Sequence, residues 1–483
     1  MLFNSLHYFI FAPAVIAVYF ALPPRPQKVW LLLVSFYFYA VFRIPFTALL
    51  LFSIAVTHIA VMGMRRYAVD ESSQRNQRIR KAFLWIAIVG NASLLYFFKF
   101  IDFSFEVFNQ ILRLAPCDPM YAHATGVVLP MGISFFTLQA IGYAVDVYRG
   151  TIPAGRVYSF ALFLSFFPQL VAGPIMRAKD LLHQFEQEHR LTYENVRAGM
   201  GLIAIGLFKK SMMADPAGVV VDQVYGDPGA YSSWTIWLAA MLHALQIYGD
   251  FSGYSDIAIG TGRIMGFRIP INFNRPFLAV DMTDLWRRWH ISLSTWLRDY
   301  VYIPLGGGRV STVRTYVNVF ITMFVSGIWH GAGLNFVMWG VFHALMVVIE
   351  RFVFSFESIG EWYRERLPRI LKIVYSFSFF TFPLLFFRAR ALPEIGDAAD
   401  VGIFMADRLL SFTGGAGVEV PASLLLIIFL LMGSEVLTEG RKDFFASILK
   451  KEGVYWSLVG IIVAYCLLLY SVTDSAPFVY FQF

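Results

Sequence analysis

The sequence predicts an all-α polytopic membrane protein, and three observations lead there. The chain has 483 residues, 58% hydrophobic and only 15% charged, with mean hydropathy +0.61. A soluble domain is typically about a quarter charged and less than half apolar. Apolar runs long enough for a bilayer recur along the whole length, and at roughly 20 residues per span about ten to twelve membrane helices fit. Between them lie clusters of Lys and Arg, the mark of cytoplasmic loops. The net charge of +7 is therefore read as loops that meet anionic lipid, with no nucleic-acid partner implied. Cys117 and Cys466 give neither a disulfide framework nor zinc spacing.

The elements follow in order. Residues 2–22 lack a basic leader and a cleavage site before Pro23, and read as a retained first span. Residues 29–40 and 46–64 form a tight pair. The loop 65–81 holds Arg65, Arg66, Arg75, Arg78, Arg80 and Lys81, which places it in the cytoplasm and the N-terminus outside. Residues 83–100 exit, 102–123 form an outer loop or interfacial helix, and 127–147 return. Residues 160–171 are apolar but short and broken by Pro168, Gly173 and Pro174. A re-entrant segment there keeps the following basic residues inside, and such backbone is tolerated only when buried in protein or lining a cavity.

Residues 196–224 and 234–248 are helical candidates. Residues 277–301 are too charged to span and read as an amphipathic or re-entrant cytoplasmic helix. Residues 312–328 and 334–349 form an outward–inward pair, 373–387 exit, and 388–420 form an outer loop with a glycine-rich turn at 414–417. Residues 424–437 return, 455–470 are the last span, and 471–483 are an aromatic tail outside. Without an internal repeat, the chain reads as one membrane domain, 1–483, with its core at about 127–350.

The chemistry concentrates at two stretches. His330 sits between apolar runs, 16 residues past Arg314, or about 24 Å of helix. That is deep in a hydrocarbon layer about 30 Å thick. An ionisable ring at that depth is expensive and points to function, and imidazole suits proton transfer near neutral pH. Gly327, Gly331 and Gly333 allow close approach. The competing role is a structural hydrogen bond between helices. His290 lies in the basic-aromatic run Trp286-Arg287-Arg288-Trp289-His290-Ile291-Ser292, where an interfacial histidine is ordinary. The pair has no metal-ligand spacing. Asp250 and Asp256 are acid/base candidates or, as buried carboxylates usually are, partners for Arg263, Arg268, Arg287 or Arg288. Asn335, the Trp329 indole or backbone near Gly331 are candidate donors for a tetrahedral oxyanion.

Residues 286–296, with 327–331, resemble the two signature blocks of the membrane-bound O-acyltransferases. Residues 129–137, 167–175, 250–256, 270–277 and the ending 477–483 are similar to the alginate O-acetyltransferase branch of that family. The resemblance implies a helical funnel with re-entrant segments, narrow at mid-membrane, in the bacterial inner membrane with both termini periplasmic. It implies His330 as general base and His290 as assisting residue; Asp250, Asp256, Arg288, Ser292, Trp329 and Asn335 are candidate supporting groups of the funnel. It also implies acetyl-CoA as donor, no bound cofactor or metal, and a periplasmic acetyltransferase partner serving an exported polysaccharide. Tyr480 becomes a candidate acyl relay or an aromatic anchor. D-alanyl transfer, peptidoglycan O-acetylation and a non-catalytic acyl or lipid channel are the alternatives. The channel would be expected to show inverted halves, and the sequence has none.

Overall fold

Proline and glycine punctuation divides this apolar chain into helices, and the computed structural model describes them for residues 1–68, 73–113, 128–440, 450–472 and 478–479. Six of the described helices are long and apolar enough to cross a membrane: Ile44–Arg66, Gln74–Asn109, Leu334–Phe354, Arg369–Phe387, Ala422–Glu439 and Glu452–Tyr470. Leu6–Ala21 is apolar but shorter. Ala422–Glu439 exposes Leu425, Leu426, Phe429 and Leu430, an apolar face of the kind a bilayer covers. The fold is all-α and polytopic.

The chain separates into two compact units. The first comprises Met1–Met200 with Ala258–Pro270. Helices Pro24–Ala40, Ile44–Arg66, Gln74–Leu95 and Ile133–Tyr148 form its frame. Asn91 is its polar pin: its amide bonds Thr57 and the Ala87 carbonyl, and Ser53 donates to it. The Val157–Ser165 helix has 9 residues, about 13.5 Å of rise, too little to cross. Phe160, Phe163, Phe166 and Phe167 are fully buried, so the irregular backbone that follows is enclosed by protein, where a membrane fold tolerates it.

The second unit comprises Gly201–Ile257 with Ile271–Phe483. Its centre is the hairpin of Thr312–His330 and Leu334–Phe354. The two helices meet at Gly327 and Gly340, where an added Cβ would lie 2.7–2.9 Å from the opposing Cα. Small residues permit that approach, the usual device for packing helices in lipid.

Two segments differ from the sequence reading. Residues 277–301 are not one helix: Met282–Arg288 and Ile291–Leu297 are separated at Trp289-His290. Residues 388–420 are not all loop. Ala398–Leu410 is a helix opened by a capping box in which Asp397 and Asp400 each accept from the other's backbone N–H, a stop-and-start signal that charge counting overlooks.

Candidate active site

His330 is the last residue of the Thr312–His330 helix, and the chain turns extended at Gly331. Asn318, Thr322, Ser326 and His330 repeat every four residues and are all buried, so they form one polar stripe along one helix face. Thr322 and Ser326 line a cavity of about 470 Å³. The stripe lowers the apolarity of this helix, which is not one of the six long apolar helices named above. His330 therefore stands one helical turn beyond the cavity wall, about 6 Å along the axis.

The imidazole is boxed by rings. Trp329, Trp339 and Phe387 lie 5.0, 4.9 and 5.3 Å from it, centroid to centroid, all edge-on. Trp329 also reaches His290, at 5.9 Å. The two sequence-predicted histidines are thus brought together around one indole. Asn335 uses one amide N–H to hold the Phe386 carbonyl at 3.2 Å. That bond pins the short Leu384–Phe387 turn against the box.

His290 is held differently. Its backbone is left-handed, φ 42°, a conformation uncommon outside glycine and often found at functional positions. Hydrogen bonds hold the chain on both sides of it. Asp281 caps Met282–Arg288 through the Asp284 N–H, and buried Glu350 accepts from the Met282 N–H at 2.9 Å. These satisfy two of the free N–H groups at that helix start. After the break, Ile291 N–H donates to the Asn272 carbonyl at 2.9 Å.

The Asn272 side-chain oxygen lies 3.2 Å from His290 Nδ1. It also accepts from the Ser292 N–H at 3.2 Å and the Ser292 hydroxyl at 2.9 Å. The Ser292 N–H needs an acceptor, so the oxygen faces it and the His290 proton must sit on Nδ1. Nε2 then keeps the lone pair. Sequence reading placed Asn272 only inside a supporting block and gave it no role. Its signal, a short loop of polar residues between apolar runs, is common to many turns.

Other named residues have other work. Arg288 pairs with Asp284 through Nε at 3.0 Å and with Glu439 at 3.1 Å. Asp250 and Asp256 are paired, but with lysines instead of the arginines considered: Lys210 lies 2.5 Å from Asp250, and Lys209 lies 2.8 Å from Asp256. Asp215 holds Lys210 from another side at 2.8 Å. Asp250 also accepts from the Val479 N–H at 2.7 Å, while Phe478 packs edge-on to Tyr254 at 4.2 Å and under the Lys210 ammonium at 4.7 Å. Two tail residues are therefore seated in a buried charged cluster. Tyr480 lies outside the described residues.

The cavity joins these parts. Arg287, Arg298 and Arg351 line it with Ser294, Thr295 and Tyr302, and Trp286, Val319, Met323 and Val347 give it an apolar wall. Cationic and apolar surfaces in one concavity suit an amphiphilic anion. No group of three or more His, Cys, Asp or Glu placed to hold a metal exists among the described residues.

Residues 156–389, which contain both histidine stretches, match the membrane-bound O-acyltransferase family. The probable alginate O-acetylase AlgI of Pseudomonas aeruginosa is 38% identical over 395 residues, 81% of this chain and 73% of that protein. The chain belongs to the membrane-bound O-acyltransferase family. The peptidoglycan O-acetyltransferase of Helicobacter pylori is 33% identical over 425 residues, 81% of this chain and 78% of its own. The teichoic acid D-alanyltransferase of Streptococcus thermophilus is 31% identical over 252 residues, 49% of this chain and 60% of its own. This acyltransferase is accordingly a multi-pass membrane enzyme, and the ring-boxed imidazole lies inside the family-matched region.

Proposed function

We propose that the enzyme takes an acetyl group from acetyl-CoA and passes it to a hydroxyl, for O-acetylation of an exported alginate-like polysaccharide. The observation that carries this reading is the polar stripe from the arginine-bearing cavity to His330. Three guanidinium groups suit the phosphates of a nucleotide thioester, and the cavity's hydroxyls and apolar wall suit its slender arm. The stripe points from there to an imidazole. Acetyl is the group named for the alginate and peptidoglycan relatives.

The chemistry balances with the residues present. The acceptor hydroxyl oxygen attacks the thioester carbonyl carbon while its proton moves to a ring nitrogen of His330. The carbonyl pair moves onto oxygen. Collapse of the tetrahedral intermediate re-forms the carbonyl and breaks the C–S bond. The departing sulfur takes the proton back from the imidazolium, giving an ester and free CoA. His290, with Nδ1–H committed to Asn272, presents Nε2 as an acceptor and is read as the assisting ring.

In this reading the basic loops lie in the cytoplasm, the protein lies in a bacterial inner membrane, and the termini are periplasmic. A periplasmic acetyltransferase completes the modification, with Tyr480 as acyl relay or aromatic anchor. Transfer from labelled acetyl-CoA by the purified enzyme in nanodiscs tests the proposal. His330→Ala is expected to lower turnover by about 10²–10⁴-fold, the usual contribution of a general base. Arg298→Ala with Arg351→Ala is expected to raise KM for acetyl-CoA. Turnover by His330→Ala close to wild type would sink it, and consumption of a D-alanyl thioester in place of acetyl-CoA would redirect it.

A further inference from the structure

A third imidazole lies near the box, and neither the sequence reading nor the mechanism above uses it. His343 is fully buried on the Leu334–Phe354 helix. Neither of its ring nitrogens has a hydrogen-bond partner among the described residues. It packs edge-on against Trp339 at 4.5 Å and Trp286 at 5.1 Å. The indole N–H groups of both tryptophans are also buried without a partner among the described residues. Trp286 and Trp339 touch at 5.9 Å.

The position of this cluster is informative. Trp286 belongs to the cavity wall, and Trp339 packs against His330 at 4.9 Å. The order is therefore cavity, Trp286, His343 with Trp339, then His330. Buried polar groups are nearly always hydrogen-bonded, and each exception calls for a reason. At His343 a phenylalanine would offer an apolar ring of similar size without the desolvation cost. The nearest buried carboxylate on the same helix, Glu350, is occupied by the Met282 N–H and the Tyr375 hydroxyl. An indole can only donate, and an imidazole can donate from one nitrogen. What satisfies such a set is an oxygen bearing lone pairs.

We propose that Trp286, Trp339 and His343 form a donor chamber that receives the acyl carbonyl of the thioester beside His330. As the acceptor hydroxyl adds, the carbonyl oxygen gains the displaced electron pair. The Trp339 indole N–H and the His343 N–H hold it by hydrogen bonds without giving up their protons. When the C–S bond breaks, the pair returns to the carbonyl and the chamber is unchanged. Donors fixed in a dry site, aimed at developing charge, are the largest single contribution in many acyl transfers. The proposal deepens the acyl-transfer reading and rests on it for the donor class.

The test uses the full-length enzyme in nanodiscs with whichever thioester the wild type consumes, so failure of acetyl-CoA as donor is a separate result. Trp339→Phe is expected to lower kcat by about 10²–10³-fold, as removal of one oxyanion donor does, with KM for the thioester changed less than about threefold. His343→Phe is expected to keep or raise the thermal midpoint, since an apolar ring replaces an unsatisfied one, while kcat falls as far. His343→Asn, which retains an N–H, is expected to recover part of that loss. A merely packed histidine predicts the opposite: His343→Phe folded, with turnover within about threefold of wild type. If His343→Phe does not fold, the kcat of Trp339→Phe decides: near-wild-type turnover overturns the chamber.

Discussion

The side-chain oxygen of Asn272 fixes the proton of His290. It accepts from Nδ1 at 3.2 Å while Ser292 donates to the same oxygen twice. One loop residue thereby sets both the backbone break and the tautomer of a signature histidine. Asn272→Ala leaves the buried Ser292 N–H without its acceptor, at a cost of about 1–3 kcal/mol. The expected outcome is a lower thermal midpoint together with lower turnover. Asn272→Asp keeps an acceptor and should fold better than the alanine variant. Equal midpoints for the two would show that the triple acceptor is unimportant.

Gly340→Ala tests the hairpin. A Cβ there lies 2.9 Å from the Gly327 Cα, and backbone cannot swing aside as a side chain can. Overpacking of this kind costs roughly 1–3 kcal/mol. The variant should unfold at lower temperature and lose turnover, because displacing the hairpin shifts the His330 ring. Unchanged melting in nanodiscs would refute the close seam.

The tail seat is an ion-pair problem. Asp250 is 1% exposed and its Lys210 partner 1%. Removing one member of a buried pair typically costs about 3–5 kcal/mol, whereas replacing the pair by apolar residues is often neutral. Asp250→Leu is therefore expected to be strongly destabilised and to expose the tail to proteolysis. Lys210→Met with Asp250→Leu and Asp215→Asn removes every charge of the cluster, and should regain much of the stability while the tail stays cleavable, since Val479 still lacks its acceptor. A triple variant no more stable than Asp250→Leu would contradict the pairing.

In the first unit, Lys28 lies 2.7 Å from Glu186, which also accepts from Ser159 at 2.9 Å and Tyr158 at 3.1 Å. The Lys28 hydrogen bond, followed by those hydroxyls, holds the Glu186 carboxyl below its ordinary value of 4.5. A depressed folded value means that the stabilisation is present above the unfolded value and is lost as pH falls through the folded one. Thermal midpoints measured from neutral down to about pH 3 should therefore fall less steeply for Glu186→Gln than for wild type. Parallel curves would show that the Lys28–Glu186 pair contributes no pH-dependent stability.

Much of this was legible in the residues, and the illegible parts share a cause. His330 announced itself because a charged-capable ring flanked by glycines is anomalous inside apolar sequence. The stripe of Asn318, Thr322 and Ser326 has a four-residue spacing in the sequence, but it is interleaved with Val, Phe, Ile and Met, so the run reads as apolar. The left-handed break at His290 carried no local mark, because no glycine or asparagine occupies the turn. Its cause, Asn272, lies eighteen residues upstream. Pairing of Asp250 and Asp256 with Lys210 and Lys209 is a tertiary choice across forty residues or more, where sequence distance offers no preference among basic partners.

The backbone-to-backbone seam at Gly327 and Gly340 has a mechanical corollary. Two helices interlocked without intervening side chains have no rotamer to release, so the arms of that hairpin cannot slip past each other to widen the room around the imidazole. Compliance is left to the opposite wall, where the Phe386 carbonyl hangs on the Asn335 amide and Phe387 leans on the ring. Breathing at His330 is thus one-sided, and a substrate that needs space must push the 384–387 turn away from the hairpin.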